Sequence, residues 1–253
     1  MDLRRLVSGA KVLLDVRRPV SFIINYIVFW YKRTKSKDHR FHMSVFDIVP
    51  CLYDDSATTS FDRHYIFHTA WAARVLSKTK PQCHIDISSS LYFCSIVSAF
   101  VPVQFYDYRP PDLNLDGLIT RRGDITSLPF GSDSISSLSC MHVIEHIGLG
   151  RYGDPIDPSG DIKAARELKR VLACDGDLLV VVPVGRPRIH YNAHRVYSFC
   201  QAMNLFSDLV LVEFSLICDD KIGGSIIFNA TEAMADGQIY GCGLFWYRKR
   251  CAW

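Results

Sequence analysis

Apolar residues near residue 70 follow a helical period before they give way to shorter, denser runs. Over residues 61–77, Tyr65, His68, Ala72 and Leu76 recur at three-to-four-residue spacing, which predicts an amphipathic helix. A Lys-Thr-Lys-Pro sequence follows directly and is predicted to end that helix.

Beyond this helix, apolar runs of strand length alternate with helical segments. The predicted strands are residues 83–87, 103–107, 118–122, 135–141, 177–182, 209–217 and 240–248. The predicted helices are residues 91–100, 162–172 and 197–205, with a turn at Asp175-Gly176. The β-branched runs separated by helices predict an α/β fold with a mostly parallel sheet covered on both faces. Such sheets bind ligands at the carboxyl ends of their strands.

The first 40 residues differ in charge from the rest of the chain. The net charge is +3, but residues 1–40 carry +7, so the remainder carries −4. A total of +3 is too small to predict nucleic-acid binding. We predict a basic helical extension over residues 1–40, then an α/β domain over 41–253 that begins with a loop or linker. The basic extension suggests an anionic partner such as a membrane surface.

The apolar segment 19–31 (PVSFIINYIVFWY) lies inside this extension, between basic residues. It is shorter than the roughly 20 residues that a spanning helix needs. A helix packed on its own domain, an interfacial anchor with Trp30 and Tyr31 at the headgroups, and a true span remain open. We expect a cytoplasmic protein, peripheral at the inner face of a membrane if the anchor is real.

The nine cysteines show no C-x-x-C spacing, and several lie inside apolar runs. This pattern predicts buried thiols in a reducing cytosol, with neither a disulfide framework nor a zinc site.

Acidic residues end or follow three successive predicted strands. Asp86 lies near the end of the first strand, before the Ser88–Ser90 loop, and Asp107 ends the second. Asp124 follows the third, within Gly123-Asp124-Ile125. A carboxylate at the second strand end is placed to accept both hydroxyls of a ribose, because it has two acceptor oxygens. Asp124 is placed to accept from an adenine amino group.

The chain from about His84 to Val184 resembles the class I S-adenosylmethionine-dependent methyltransferases. The resemblance rests on three stretches, Gly123-Asp124 with Leu128-Pro129-Phe130, the strand leading to Val143-Ile144-Glu145-His146, and Glu167 to Leu172 followed by Asp175-Gly176 and a strand ending at Pro183. It implies a Rossmann-like fold with a late antiparallel strand. It also implies a cofactor site formed by Asp86, Ser88, Ser89, Asp107, Asp124, Ile125 and His142.

A narrower resemblance is to the domain-of-unknown-function family 268, DUF268, over roughly residues 45–250. It is carried by Phe61 to Tyr65, Ser137 to His142, Glu145 to Asp157, Pro183 to Gly185 and Asn192 to Val196. The resemblance implies a methyltransferase-like fold, often in a setting of surface-polysaccharide biosynthesis. It implies no demonstrated reaction.

One segment departs from both families. They place glycine after the first-strand acidic residue, whereas this chain has Asp86-Ile87-Ser88-Ser89-Ser90. Serine at a positive φ costs about 1 kcal/mol or more. Cofactor binding is therefore weakened, altered or lost if the loop must take that conformation.

Polar residues gather in two further segments. His142 to His146 matches H-x-x-E-H, but its position after a strand argues against a zinc peptidase. His146, Asp154, Asp157, His190 and His194 are placed to converge above the sheet as an acid/base or metal group. Within the loop 148–157 and the segment 192–195, the candidate substrate-binding residues are Arg151, Tyr152, Asn192 and Arg195. The alternative for that loop is a purely structural role, with Arg151 paired to Asp154 or Asp157.

The leading hypothesis is an S-adenosylmethionine-dependent methyltransferase acting on a sugar or glycolipid intermediate, with His146, Asp154 and His194 as catalytic candidates. No metal is assigned. The alternatives are a nucleotide-sugar-binding transferase, with Arg151 and Arg195 on the phosphates, and a catalytically inactive scaffold.

Overall fold

The computed structural model describes residues 16–37, 40–219 and 224–251. The chain forms two compact units, residues 1–61 and 62–253. The predicted linker 41–60 thus falls within the first unit.

The first unit contains helix α1 (Arg17–Lys35) and a short 3-10 turn (Val45–Asp47), in which the Ser44 hydroxyl accepts from the Phe46 N–H. None of the α1 residues is buried. Residues 1–15 of the predicted extension lie outside the described residues. Among the helices that the structure describes, none combines the length and apolarity needed to cross a membrane.

The second unit alternates strands and helices as predicted. Its helices are α2 (Arg63–Thr79), α3 (Leu91–Val97), α4 (Gly160–Val171), α5 (Phe199–Leu205) and α6 (Glu232–Asp236). Its strands are β1 (His84–Ile87), β2 (Val103–Asp107), β3 (Leu118–Arg122), β4 (Ile135–Met141), β5 (Leu172–Val184), β6 (Arg188–His190), β7 (His194–Val196), β8 (Val210–Ile217), β9 (Ile227–Phe228) and β10 (Gly241–Arg248).

Eight strands form one sheet in the order β3-β2-β1-β4-β5-β10-β8-β9. Strands β1 to β5 are parallel, and β10 runs antiparallel between β5 and β8. The α/β fold class, the mostly parallel sheet and the late antiparallel strand are confirmed. The order reverses between β1 and β4, so the carboxyl ends of these strands border a crevice.

Both faces of the sheet are covered, and β5 shows why. Leu178, Val180 and Val182 pack in one buried cluster with Leu168 of α4. Residues of alternate parity, such as Val181, pack in the other cluster with α2 and α3. Side chains alternate across a strand, so a continuous apolar run is needed where both faces are buried.

The predicted turn at Asp175-Gly176 is wrong. Asp175 takes a left-handed conformation, with φ 56°, but β5 continues through it. The register against β4 shifts between Ile135 and Ser137. Ile135 to Ser137 spans two positions whereas Leu172 to Asp177 spans five, so three extra residues are absorbed as an irregularity in the strand, and β5 begins at Leu172, five residues earlier than expected.

The expected absence of disulfides is also wrong, because Cys174 and Cys251 form one, with their Cα atoms 5.2 Å apart. The two residues are 77 positions apart in sequence. Their proximity depends on the pairing of β5 with β10, which cysteine spacing does not reveal.

Candidate active site

A cavity of about 430 Å³ opens at the carboxyl ends of β1 to β4, within the size range of small-molecule sites. Eight predicted site residues line it, namely Ser88, Asp107, Asp124, Ile125, His142, His146, Tyr152 and Asp154. Six predicted site residues are not among its lining, namely Asp86, Ser89, Arg151, Asn192, His194 and Arg195. Lining residues that the sequence did not single out include Tyr108, Arg109, Thr126 and Lys163.

The loop after β1 holds its shape without glycine. Ser88 adopts φ 55°, the left-handed region in which a side chain costs about 1 kcal/mol. Its backbone N–H donates to the Tyr106 carbonyl at 2.8 Å, and its hydroxyl donates to the same oxygen at 3.1 Å. The Ser89 hydroxyl accepts from the backbone N–H of Met141 at 2.9 Å. Hydrogen bonds to β2 and β4 thus offset the cost of the conformation.

Asp86 anchors this loop from inside the protein. Its side chain is fully buried, and Oδ1 accepts from the Ser89 N–H at 3.0 Å, while Oδ2 accepts from the Ser139 hydroxyl. Ser139 also contacts the buried His84 ring. Burial raises the pKa of Asp86 to about 6 and lowers that of His84 to about 3. These contacts correct the expectation that Asp86 touches a cofactor, since its oxygens shape the loop instead.

Asp86→Asn should change how stability depends on pH. The pKa of Asp86 rises from the usual 3.8 to about 6 in the folded protein. Between pH 4 and 6, Asp86 is therefore protonated in the native state but mostly ionised in the unfolded chain. Asp86 therefore contributes stability below pH 4 that is lost as pH rises through 6. We expect the stability of Asp86→Asn relative to wild type to increase by about 2 kcal/mol between pH 4 and 7.

Urea unfolding of both proteins at the two pH values measures this change. The exposed Asp116 provides a matched control, because Asp116→Asn should show no such dependence. If the free energies of unfolding of Asp86→Asn and wild type differ by the same amount at pH 4 and pH 7, Asp86 is already ionised in the folded state at pH 4.

The carboxylates of Asp107 and Asp124 line the cavity from neighbouring strand ends. Asp107 Oδ1 accepts from the Arg109 N–H at 2.7 Å. Asp124 Oδ1 accepts from both the N–H and the hydroxyl of Thr126, at 2.8 and 2.7 Å. In both residues Oδ2 takes no hydrogen bond from the residues that the structure describes. Each carboxylate thus keeps an acceptor oxygen for a ligand.

His142 follows β4 in the left-handed conformation, with φ 57°. Its Nδ1 lies 2.9 Å from Glu145 Oε1, and its Nε2 lies 3.4 Å from Cys242 Sγ. Residues 144–146 form a 3-10 turn. His142 and His146 thus do not lie on one face of an α-helix, which is the arrangement that a zinc peptidase with this H-x-x-E-H sequence would need.

Glu145 is the most unusual carboxyl group of the site. It is 1% exposed, and its Oε2 has no hydrogen-bond partner among the described residues. Burial raises its pKa to about 7. Arg195 donates to the Glu145 main-chain carbonyl at 3.4 Å and not to its carboxylate.

His146 is held in one tautomer. Its Nδ1 lies 2.5 Å from the Ala193 carbonyl oxygen. A carbonyl only accepts, so Nδ1 carries the proton and Nε2 keeps a lone pair. Burial lowers the pKa of His146, so the ring is neutral near pH 7. The Tyr152 ring packs edge-on against it, with centroids 5.6 Å apart.

Asp154 shapes the loop 148–157. Its Oδ2 accepts from the Gly148 N–H at 2.7 Å, and its Oδ1 accepts from the Tyr152 N–H at 3.2 Å. Gly148 has φ 80°, and a Cβ there would lie 1.9 Å from the Asp157 carbonyl oxygen. With both oxygens bonded to the loop backbone, Asp154 is poorly placed to act as a base, which corrects its assignment as catalytic.

The predicted alternative pairing of Arg151 does not occur. Arg151 donates to the Ala193 carbonyl at 3.3 Å and stacks 5.0 Å from the Tyr152 ring centroid. Asp157 instead pairs with Lys163 at 2.6 Å. Arg151 therefore connects the loop to the β6–β7 hairpin.

The β6–β7 hairpin exposes Asn192 to solvent but packs the His194 ring against other side chains. Asn192 is exposed at its turn. The His194 ring lies 6.3 Å from that of His146 and 5.1 Å from that of Tyr240. Its Nε2 is buried without a partner in the described residues, and burial lowers its pKa.

Arg195 cannot serve as the predicted anion clamp. It is 6% exposed and donates to the carbonyls of Ile147 at 2.7 Å and Pro158 at 3.2 Å. Its Nε lies 3.6 Å from Asp161 Oδ2. These bonds leave the guanidinium no free edge for a ligand.

Helix α2 supplies residues that the sequence did not assign to the site. His64 stacks parallel to His142, and Tyr65 also stacks on it, with centroids 5.9 and 5.6 Å apart. His68 packs edge-on against His142 at 5.1 Å. Burial lowers the pKa of His64 to about 4 and that of His68 to about 3. The spacing of His64 and His68 by four residues was the signal available in the sequence.

A family model described as "Caenorhabditis protein of unknown function, DUF268" matches residues 127–217. The match is narrower than the expected 45–250 but includes β4, the loop 148–157 and β5. No curated protein matches the chain in sequence.

Solved structures similar to this chain are methyltransferases or proteins of that fold. N-methyltransferase NodS from Bradyrhizobium japonicum, solved with S-adenosylhomocysteine, is 14% identical with a TM-score of 0.53, over 79% of this chain and 91% of NodS. A Burkholderia thailandensis 1,6-didemethyltoxoflavin-N1-methyltransferase is 11% identical with a TM-score of 0.51, over 73% of this chain and 79% of that one.

The YcgJ protein from Bacillus subtilis is 17% identical with a TM-score of 0.50, over 72% of this chain and 100% of YcgJ. At these identities the likeness shows the fold. The predicted resemblance is thereby confirmed: residues 127–217 carry the DUF268 pattern, and the chain has the class I methyltransferase fold.

Proposed function

We propose that this protein is an S-adenosylmethionine-dependent methyltransferase. The observation that carries the proposal is the pair of carboxylates, Asp107 and Asp124, that line one cavity at neighbouring strand ends. Two proteins of similar fold were solved with S-adenosylhomocysteine, which supports this choice of ligand.

The residues present fit such a cofactor. Asp107 would accept from the ribose hydroxyls, because Oδ2 is uncommitted and the side chain lines the cavity. Asp124 would accept from the adenine amino group, and the buried Ile125 would provide an apolar wall. Ser88 lines the cavity and would face the methionine part of the cofactor, whereas the Ser89 hydroxyl accepts from Met141 and supports the loop. The cofactor supplies an activated methyl group on a sulfonium.

The acceptor side would be formed by His146 and His194. His146 Nε2 carries a lone pair at neutral pH, so it can take a proton from an acceptor hydroxyl. Tyr152 would pack against the acceptor. Methyl transfer depends mainly on in-line positioning, which the ordered loop 148–157 would provide.

We further propose a sugar or glycolipid hydroxyl as the acceptor, in surface-polysaccharide biosynthesis. The support is the polar character of the loop 148–157, which offers hydrogen-bonding groups beside the cavity. The nucleotide-sugar alternative loses its second phosphate clamp, because Arg195 is committed to protein carbonyls.

Calorimetric titration with S-adenosylhomocysteine tests the proposal. We expect micromolar binding by the wild type and at least about 100-fold weaker binding by Asp107→Ala, because two charge-assisted hydrogen bonds are lost. Asp112→Ala, an exposed acid in the loop after β2, is the matched control and should bind normally. Absence of wild-type binding at millimolar ligand would reject this cofactor.

The first unit is proposed to bind an anionic membrane surface, which would make the protein peripheral at the cytoplasmic face. Helix α1 exposes large apolar side chains, including Ile23, Ile27 and Trp30, and its last turn holds Lys32 and Lys35. An apolar face beside basic residues is typical of interfacial helices.

Flotation with phosphatidylserine vesicles tests this proposal. Each lysine contributes about 1 kcal/mol near an anionic surface, so Lys32→Ala/Lys35→Ala should bind about 30-fold less. Lys78→Ala in the second unit serves as the control. Equal flotation of wild type and the double variant, or flotation on phosphatidylcholine alone, would rule out electrostatic anchoring.

A further inference from the structure

Three side chains with metal-ligating atoms converge beside the cavity. They are His64 of α2, His142 after β4 and Cys242 of β10, and their donor atoms all lie within 4.8 Å of one another. His142 also lines the cavity. Histidine nitrogen and cysteine sulfur are the ligands that Zn²⁺ prefers.

One pair of these donor atoms has about the separation that a shared bound ion would impose. Cys242 Sγ lies 3.4 Å from His142 Nε2. A tetrahedral ion with metal–nitrogen bonds of about 2.0–2.1 Å and a metal–sulfur bond of about 2.3 Å would separate these atoms by about 3.6 Å. A thiol-to-imidazole hydrogen bond would also account for this pair, and ring stacking on His142 and Tyr240 would hold His64 beside it, so metal titration must distinguish the two arrangements.

The second nitrogen of His142 is held as in a metal site. Its Nδ1 lies 2.9 Å from Glu145 Oε1. A histidine that binds a metal through one nitrogen usually donates its other N–H to a carboxylate or carbonyl. The bond to Glu145 leaves Nε2, the atom nearest Cys242, with the lone pair that a metal requires.

The buried carboxyl group of Glu145, beside His142, also favours a cation at this position. Glu145 is 1% exposed, and its Oε2 has no hydrogen-bond partner among the described residues. Its Oε1 contacts His142 Nδ1, so Oε2 alone lacks a partner within the described part of the chain, and a buried polar atom without one is costly. A divalent ion bound by His142 would place positive charge beside this group.

We propose that His64, His142 and Cys242 form a three-ligand site for a borderline-soft divalent cation such as Zn²⁺. Three protein ligands leave a fourth position for water or an oxygen of a bound molecule. Because the site borders the cavity, the ion is placed to polarise a ligand there. This inference goes beyond the proposed methyl transfer and does not depend on it.

Metal titration of the chelator-treated full chain, without other ligands, tests the site. Wild type should bind one equivalent of Zn²⁺ with submicromolar affinity in competition with a chromophoric chelator. Co²⁺ should bind at the same site and give a near-ultraviolet thiolate-to-metal absorption band. Cys242→Ser should lose that band and weaken Zn²⁺ binding at least about 100-fold, because a charged ligand is removed.

Further variants separate a ligand role from a structural one. His64→Gln should weaken Zn²⁺ binding while keeping the Co²⁺ band, because the thiolate remains. Glu145→Gln, which alters the positioning residue, should weaken binding about 10- to 100-fold. The exposed Cys200 and His42 provide matched controls, and Cys200→Ser and His42→Gln should bind metal as wild type does.

Failure of wild type to bind one equivalent, or a Co²⁺ complex without the thiolate band, would overturn the proposal. So would unchanged affinity in a folded Cys242→Ser protein. If Cys242→Ser does not fold, the wild-type Co²⁺ spectrum and His64→Gln decide the question. The titration with S-adenosylhomocysteine is independent of these outcomes, so the metal site and the proposed methyl transfer can fail separately.

Discussion

Arg195→Met should destabilise the protein by about 3–5 kcal/mol, because it removes the positive charge beside a buried carboxylate. Asp161 is 7% exposed, its Oδ2 lies 3.6 Å from Arg195 Nε, and it accepts from the Tyr197 hydroxyl at 3.0 Å. The variant would also leave the carbonyls of Ile147 and Pro158 without their donor. Methionine fills much of the same volume, so the loss reflects charge and hydrogen bonds rather than a cavity.

Urea unfolding measures this effect. Arg186→Met is the control, because Arg186 is an exposed arginine between β5 and β6. The control should change stability by less than about 0.5 kcal/mol. Adding Asp161→Asn to Arg195→Met should recover part of the loss, since the uncompensated charge is then gone. A loss below about 1 kcal/mol in Arg195→Met would contradict the role assigned to this residue.

The positions of several strands were predictable from the local spacing of apolar and turn-forming residues in the sequence. The bounds of β2, β3 and β4 agree with those predicted, although β3 is an edge strand in which only Leu118 is buried. β5 was predicted too short. Its first residues pair only because Asp175 takes a left-handed conformation, and such a conformation depends on the partner strand.

The cavity was predictable for a topological reason. Parallel strands bring their carboxyl ends to one edge, so polar residues at those ends are placed together by the fold itself. Asp107, Asp124 and His142 line the cavity for this reason. Asp86 does not, because it lies inside β1 and is fully buried, and its oxygens accept from Ser89 and Ser139.

Contacts between distant segments could not be predicted in the same way. Arg195 was misjudged because its partners are mainly backbone carbonyls, which no residue type marks. His142 and Cys242 are 100 positions apart and come together only through the β5–β10 pairing. Metal motifs in sequence rely on short spacings, so this group was not recognised.

His146→Gln should reduce turnover by about 10²–10⁴-fold while leaving S-adenosylhomocysteine binding unchanged. The Ala193 carbonyl fixes the proton on Nδ1, so Nε2 is the free base of the ring. Burial lowers the pKa of His146 and keeps that base unprotonated at neutral pH. Glutamine retains a polar side chain but cannot take up a proton, so only general-base catalysis is removed.

Release of S-adenosylhomocysteine from S-adenosylmethionine, followed over a panel of mono- and oligosaccharides, measures turnover. The exposed His42 supplies the control, and His42→Gln should turn over at the wild-type rate. A loss confined to kcat would identify His146 as the base. A rise in KM alone would instead assign it to acceptor binding, and an unchanged rate would move the assignment to His194, whose Nε2 is buried and unpaired among the described residues.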